Sequence, residues 1–116
     1  MFGIPGTSTD TYAHLIEEDR QLVDALGACG ADLNKPRHVL HYVECRTETM
    51  ALRMSELGAE WDVSISPPTE DDDTWFVVFE RSDRVLTATN ILSDRHLFET
   101  MASVHRSTYE GWEASV

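Results

Sequence analysis

Positive charge is what this sequence has least of. Nine Lys and Arg face 21 Asp and Glu, a formal net charge of −12 on 116 residues. A phosphate backbone repels such a surface, which argues against direct nucleic-acid binding; the same imbalance favours basic protein partners. Cysteine is also rare. Cys29 and Cys45 fall in neither a CxxC nor a metal-ligand spacing, and read as reduced, part-buried thiols. No apolar run reaches the length of a membrane span. Met1 to Gly6 has neither the basic nor the apolar region of a secretory signal, so a cytoplasmic location is expected. There is no GxSxG, no HExxH and no phosphate-cradling glycine loop. The acidic run Glu70-Asp71-Asp72-Asp73 lacks the glycine and distal glutamate of an EF-hand. No catalytic residue, metal or other cofactor is expected.

What is present suffices for a core. The chain is 41% hydrophobic, which fits one ordinary domain over residues 1–116. Phe2 to Gly6 reads as a lead-in, and Thr7, Ser8 and Thr9 offer helix caps. Tyr12, Leu15, Ile16, Leu22, Val23 and Leu26 share one helical face, predicting a helix over about 10–29 that stops near Gly27 and Gly30. Asp19 interrupts that stripe and reads as a rim residue paired with a basic neighbour.

Residues 37–45 form the first expected strand, with apolar residues on both faces, as suits a central position. His38 and His41 lie three apart, so a strand points them to opposite faces and they cannot chelate one metal. His41 reads as a hydrogen-bonded sheet histidine. Thr47 caps a short helix over 48–57, ended by Gly58. Trp61, Val63 and Ile65 alternate with polar residues in a strand over 60–66. Pro67 to Asp73 is a loop, because proline cannot continue the ladder and adjacent carboxylates repel. Thr74 to Arg81 is a second strand with two apolar faces, and Ser82 to Thr89 is linking structure. A last helix begins at Thr89 or Ser93 and carries Ile91, Phe98, Met101, Ala102 and His105 on one face, flanked by Leu97 and Val104. A closing strand spans Thr108 to Val116.

That order is a ferredoxin-like α+β sandwich, βαββαβ with an antiparallel sheet, preceded by an extra helix. Crossover handedness places the first and third strands at the centre, and these are the two that are apolar on both faces. Two crossover helices cover only one sheet face. Leu40, Tyr42, Phe76 and Val78 are candidates for the other face, to be covered by the leading helix, by a second copy in a homodimer, or by a client protein.

The closing strand holds Tyr109-Glu110-Gly111-Trp112, two large aromatics, a carboxylate and a glycine in one short stretch. Gly111 points to a bulge or a close backbone approach. The aromatics read either as core anchors or as a surface hot spot for a partner, and the residues alone leave both open.

These features together resemble the regulator of ribonuclease activity B (RraB) family of ribonuclease E inhibitor proteins. The resemblance is carried by Glu17-Glu18-Asp19-Arg20, Leu22, Ala25-Leu26, Gly30 and Asp32, by His41, by Leu57-Gly58, by Met101-Ala102 and by Tyr109-Glu110-Gly111-Trp112. It spans nearly the whole chain, and the Tyr-acidic-Gly-Trp ending is its most specific part. It implies a sandwich of the kind described, and a small acidic protein that binds ribonuclease E and restrains RNA decay without catalysis or cofactor. The expected partner-binding residues are Glu17, Glu18, Glu70, Asp71, Asp72, Asp73, Tyr109, Glu110 and Trp112. They would meet an Arg/Lys-rich segment of an endoribonuclease or its scaffold. Two other functions fit the residues: an immunity-type inhibitor of a toxin nuclease, and a ligand-binding or enzymatic sandwich with His41, Tyr42 and Trp112 near a pocket.

Overall fold

The computed structural model describes residues 12–116. The expected lead-in and the caps Thr7, Ser8 and Thr9 lie outside them. The elements run α1 (Glu17–Ala28), β1 (Arg37–Cys45), α2 (Glu48–Ser55), β2 (Asp62–Ser66), β3 (Trp75–Arg84), α3 (Ala88–Val104) and β4 (Thr108–Ala114). The four strands lie in the order β2-β3-β1-β4, and every neighbouring pair is antiparallel. This is the expected α+β sandwich with a helix in front, and β1 and β3 occupy its centre.

The helix expected over about 10–29 is broken in two, and its start lies outside the described residues. Tyr12 is helical, Leu15 N donates to Tyr12 O at 3.1 Å in a turn, and Ile16 is extended (φ −62°, ψ 156°), so helical geometry breaks there and α1 begins at Glu17. No side chain caps this end; Glu17, Glu18 and Asp19 set three carboxylates on the positive pole of the helix dipole instead. At the other end Gly30 takes φ 86°. Gly30 N donates to Gly27 O and Ala31 N to Leu26 O, the paired bonds of a Schellman motif. Gly30 therefore ends the helix, while Gly27 lies within it.

Other boundaries move as well: α2 stops at Ser55, β2 begins at Asp62 and so leaves Trp61 outside the strand, and β4 stops at Ala114. β3 continues through Ser82, Asp83 and Arg84, expected as linking structure, because Arg84 still pairs with Arg37 across the ladder. Helix α3 begins before either expected start. Thr87 caps it, accepting from Asn90 N at 3.1 Å, and Ala88 already turns into the core. Thr47 caps α2 as expected, accepting from Met50 N at 3.2 Å.

Burial alternates strictly along β1. Arg37, Val39, His41, Val43 and Cys45 are buried, while the intervening residues are half-buried. On the buried side, Val43, Cys45, Val77 and Phe79 pack with Ala51 and Met54 of α2 and Phe98, Met101 and Ala102 of α3. A second cluster joins Val23 and Leu26 of α1 to Val39, Leu86, Ile91 and Trp112. The leading helix thus sits on the same sheet face as the other two, and among the described residues no helix covers the opposite face.

Gly58 belongs to this core. A Cβ built there would lie 2.6 Å from Phe79 Cδ2 and 2.7 Å from Cε2, on a ring with no exposure. Gly58→Ala is expected to destabilise the fold by about 1–3 kcal/mol, as overpacking does when the neighbour cannot retreat. A change below about 0.5 kcal/mol in urea unfolding would show that the ring moves freely.

Candidate functional site

Two sites emerge. One is a buried polar network and the other is the open face of the sheet.

The network begins with a bulge. Along β4, Trp112 opposes His41, Gly111 opposes Tyr42 and Tyr109 opposes Val43, so Glu110 is an extra residue with no partner in the ladder. Residues three apart in a regular strand face opposite sides. The extra residue turns both Tyr109 and Trp112 toward the helices. Gly111 makes this feasible with φ 107°, and a Cβ there would also press against Glu18 Oε1 at 3.2 Å.

Tyr109 and Trp112 meet charged groups that interrupt the apolar stripes of α1 and α3. Trp112 Nε1 donates to Asp19 Oδ1 at 2.8 Å. Arg95 approaches the same carboxylate in a fork, Nε at 2.7 Å and Nη2 at 2.8 Å. Its guanidinium lies 5.0 Å from the Tyr109 ring centroid. Burial alone would lower the Arg95 pKa, but the hydrogen bonds and charge of Asp19 outweigh it and raise the value. Asp19 is 1% exposed. It has the basic neighbour expected of it, but it is an interior residue and not a rim one, because Arg95 comes from α3 to cover it.

His41 sits beside this pair. Its Nδ1 is 2.8 Å from the Tyr109 hydroxyl and its ring stacks on Phe98 at 4.4 Å. Nε2 is 3.9 Å from Asp94, whose carboxylate is held by Arg84 at 2.7 and 3.0 Å. Burial, then the charges of Arg95 and Arg84, push the His41 pKa down to about 3. Because Asp94 is committed to Arg84 and lies too far for a hydrogen bond to the ring, His41 is neutral. Burial raises the Tyr109 pKa, so its hydroxyl keeps its proton, and it shares one hydrogen bond with Nδ1. The sheet-histidine reading holds, and the ring is 2% exposed.

The trio suggested for a ligand pocket does not converge. His41 and Trp112 face the helices, and Tyr42 faces the other way. Among the described residues, no group of three or more His, Cys, Asp or Glu is placed to hold a metal ion. Of the two free cysteines, Cys45 is buried and Cys29 is exposed.

The expected partner-binding carboxylates fall into two groups. Glu17 and Glu18 are exposed on the first turn of α1, and Glu110 is exposed on the bulge. A hydrogen bond to Glu44, followed by burial and the charges of Glu44 and Glu18, raises the Glu110 pKa; these carboxylates share one edge of the sheet. Glu70, Asp71, Asp72 and Asp73 are exposed in the β2–β3 loop, on the side of the sheet away from β4. That loop is folded on itself: Thr69 N donates to Asp72 O at 2.8 Å, and Thr74 N to Asp72 Oδ1 at 3.0 Å.

The open face carries acids outside the expected set. Along β1, His38, Leu40, Tyr42 and Glu44 point away from the helices. Glu80, Val78 and Phe76 of β3 stand opposite Leu40, Tyr42 and Glu44, while Glu113 of β4 flanks Leu40. Glu80 contacts His38 at 2.7 Å, and Glu113 accepts from the Tyr42 hydroxyl at 2.5 Å. Tyr42, Ser66, Phe76 and Val78 line a shallow depression of about 300 Å³. Period-two alternation would have flagged Glu44 and Glu80, but only the register shows them framing one apolar strip.

A family model described as regulator of ribonuclease activity B matches residues 16–114 of the 116-residue chain. Neither a curated protein nor a solved structure matches. The match begins one residue before α1 and ends with β4, so it takes in every helix and strand described above, including the bulge and the residues of the buried network. The chain belongs to the regulator of ribonuclease activity B family.

Proposed function

We propose that this protein binds an endoribonuclease of the ribonuclease E type, or its scaffold, and restrains RNA decay by occupying it. The family match carries the reading. The net charge of −12 supports a basic partner segment and opposes direct contact with RNA. Glu17, Glu18, Glu110 and the run from Glu70 to Asp73 supply exposed carboxylates for that segment. Tyr109 and Trp112 serve the surface from beneath, by locking α1 and the bulge against α3. The action is stoichiometric and cytoplasmic, without turnover or cofactor.

The test is cleavage of a labelled RNA by a purified ribonuclease E-type enzyme, titrated with this protein. Inhibition is expected to saturate near one equivalent. It should weaken by about tenfold or more when salt rises from roughly 50 to 200 mM, because the Debye length shrinks over that range. Neutralising Glu70, Asp71, Asp72 and Asp73 together should weaken it further. Unchanged cleavage at every ratio would overturn the proposal, and salt-independent inhibition would overturn its electrostatic basis.

A further inference from the structure

Leu40, Tyr42, Phe76 and Val78 are only half-buried, and they pack against neither core cluster. Among the described residues, α1, α2 and α3 all lie on the other sheet face. Around this strip stand Glu44, Asp62, Glu80 and Glu113. His38 is the single basic side chain on the β1 part of the face, and it is already engaged by Glu80. An apolar strip within a frame of carboxylates is a specific request: apolar contact at the centre and cations at both margins.

From this geometry we infer that the open sheet face docks an amphipathic, Arg/Lys-bearing partner segment, with its apolar side on Leu40, Tyr42, Phe76 and Val78 and its cations on the surrounding carboxylates. The inference rests on the proposed function for the identity of the partner, but not for the chemistry of the segment. A second copy of the chain fits poorly. A two-fold interface sets the same patch against itself, and here that would oppose carboxylate to carboxylate. The size of the face sets the length of the segment. The stretch of β1 from His38 to Glu44 runs roughly 20 Å at about 3.3 Å per residue, which a helix spans in about 14 residues. Apolar residues at i, i+3, i+4 and i+7 would form its contact side.

The test uses the full chain, isotopically labelled, and three synthetic peptides of about 15 residues. The first is amphipathic with Leu and Arg at helical spacing. The second has the same composition scrambled to remove the periodicity. The third replaces Arg with Glu. The first is expected to shift amide resonances of residues 38–44 and 76–80. The scrambled peptide should bind at least about tenfold more weakly and the acidic one not at all. Val78→Lys should reduce affinity for the first peptide by at least about tenfold, and Leu40→Ser is the second variant should Val78→Lys fail to fold.

Shifts confined to the β2–β3 loop or to α1 would overturn the inference, as would equal binding of the scrambled peptide. Concentration-dependent dimerisation that competes with the first peptide would assign the face to a second copy. Release of residues 1–11 from the face on titration would assign it to the chain's own start. Peptide binding without any effect on the ribonuclease would sink the proposed function and leave the docking face. Ribonuclease inhibition that survives Val78→Lys and Leu40→Ser would do the reverse.

Discussion

Asp19→Ala is expected to cost about 3–5 kcal/mol of folding stability. That is a large part of the roughly 5–15 kcal/mol that stabilises a typical domain. The change strands two buried donors at once. Arg95, with a side chain 10% exposed, loses its forked partner at 2.7 and 2.8 Å, and Trp112 Nε1 loses its acceptor at 2.8 Å. Glu99 at 3.3 Å and Glu18 at 3.7 Å remain near the guanidinium. Both are more than half exposed, so solvent screens what they return and the lower end of the range is favoured. Asp19→Asn should fall between, since it keeps an acceptor for Trp112 without the charge. Replacing both partners, as in Asp19→Leu with Arg95→Met, should recover much of the loss, because most of the single-variant penalty is the uncompensated buried charge. Urea denaturation of all four proteins decides it. A single variant that loses less than about 1 kcal/mol would mean that water reaches Arg95 and that the pair is not a dry one.

How much of this could be seen in the sequence depends on where each signal lives. Local signals were legible. Thr47 before an apolar run, Gly30 after one, and the alternation around Trp61, Val63 and Ile65 each report on a few neighbouring residues. The order of strands followed from crossover handedness, and the two apolar faces of β1 and β3 agreed with it. The bulge was legible through Gly111, although its effect of turning Tyr109 and Trp112 to one side needed the register. Pairings across long separations were not legible. Asp19 looked like an interruption in α1 because its partner Arg95 lies 76 residues away. Asp94 and Arg95 likewise sit on the buried side of α3, where an apolar pattern has no place for them. The break before α1 escaped notice because Leu15 is buried from a turn and so mimics a helical position. On the open face, Glu44, Glu80 and Glu113 come from three strands, and no linear spacing relates them.

Acid is expected to unfold this protein through His41 before its carboxylates titrate. The folded ring has its pKa pushed down to about 3 by burial and by Arg95 and Arg84, against an ordinary value of 6.5. Below pH 6.5 the unfolded chain takes up a proton that the folded chain refuses until near pH 3. Stability from this group is therefore complete above pH 6.5 and drains away as the pH falls, at up to roughly 1.4 kcal/mol per pH unit. Between pH 7.5 and 5 the loss comes to about 2 kcal/mol, and by pH 3.5 it approaches about 4 kcal/mol. The upper window is the clean one, since most unfolded carboxylates remain ionised above pH 5. His41→Asn, which keeps an acceptor near the Tyr109 hydroxyl, should flatten the pH dependence there by about one proton. In the folded protein the His41 ring resonances should stay fixed from pH 7.5 to 5. Were they to titrate near pH 6.5, the ring would be accepting a charge, and Asp94 at 3.9 Å would have to be free to receive it. The fork from Arg84 would then be the first contact to doubt, and with it the closed interior that holds α3 against the sheet.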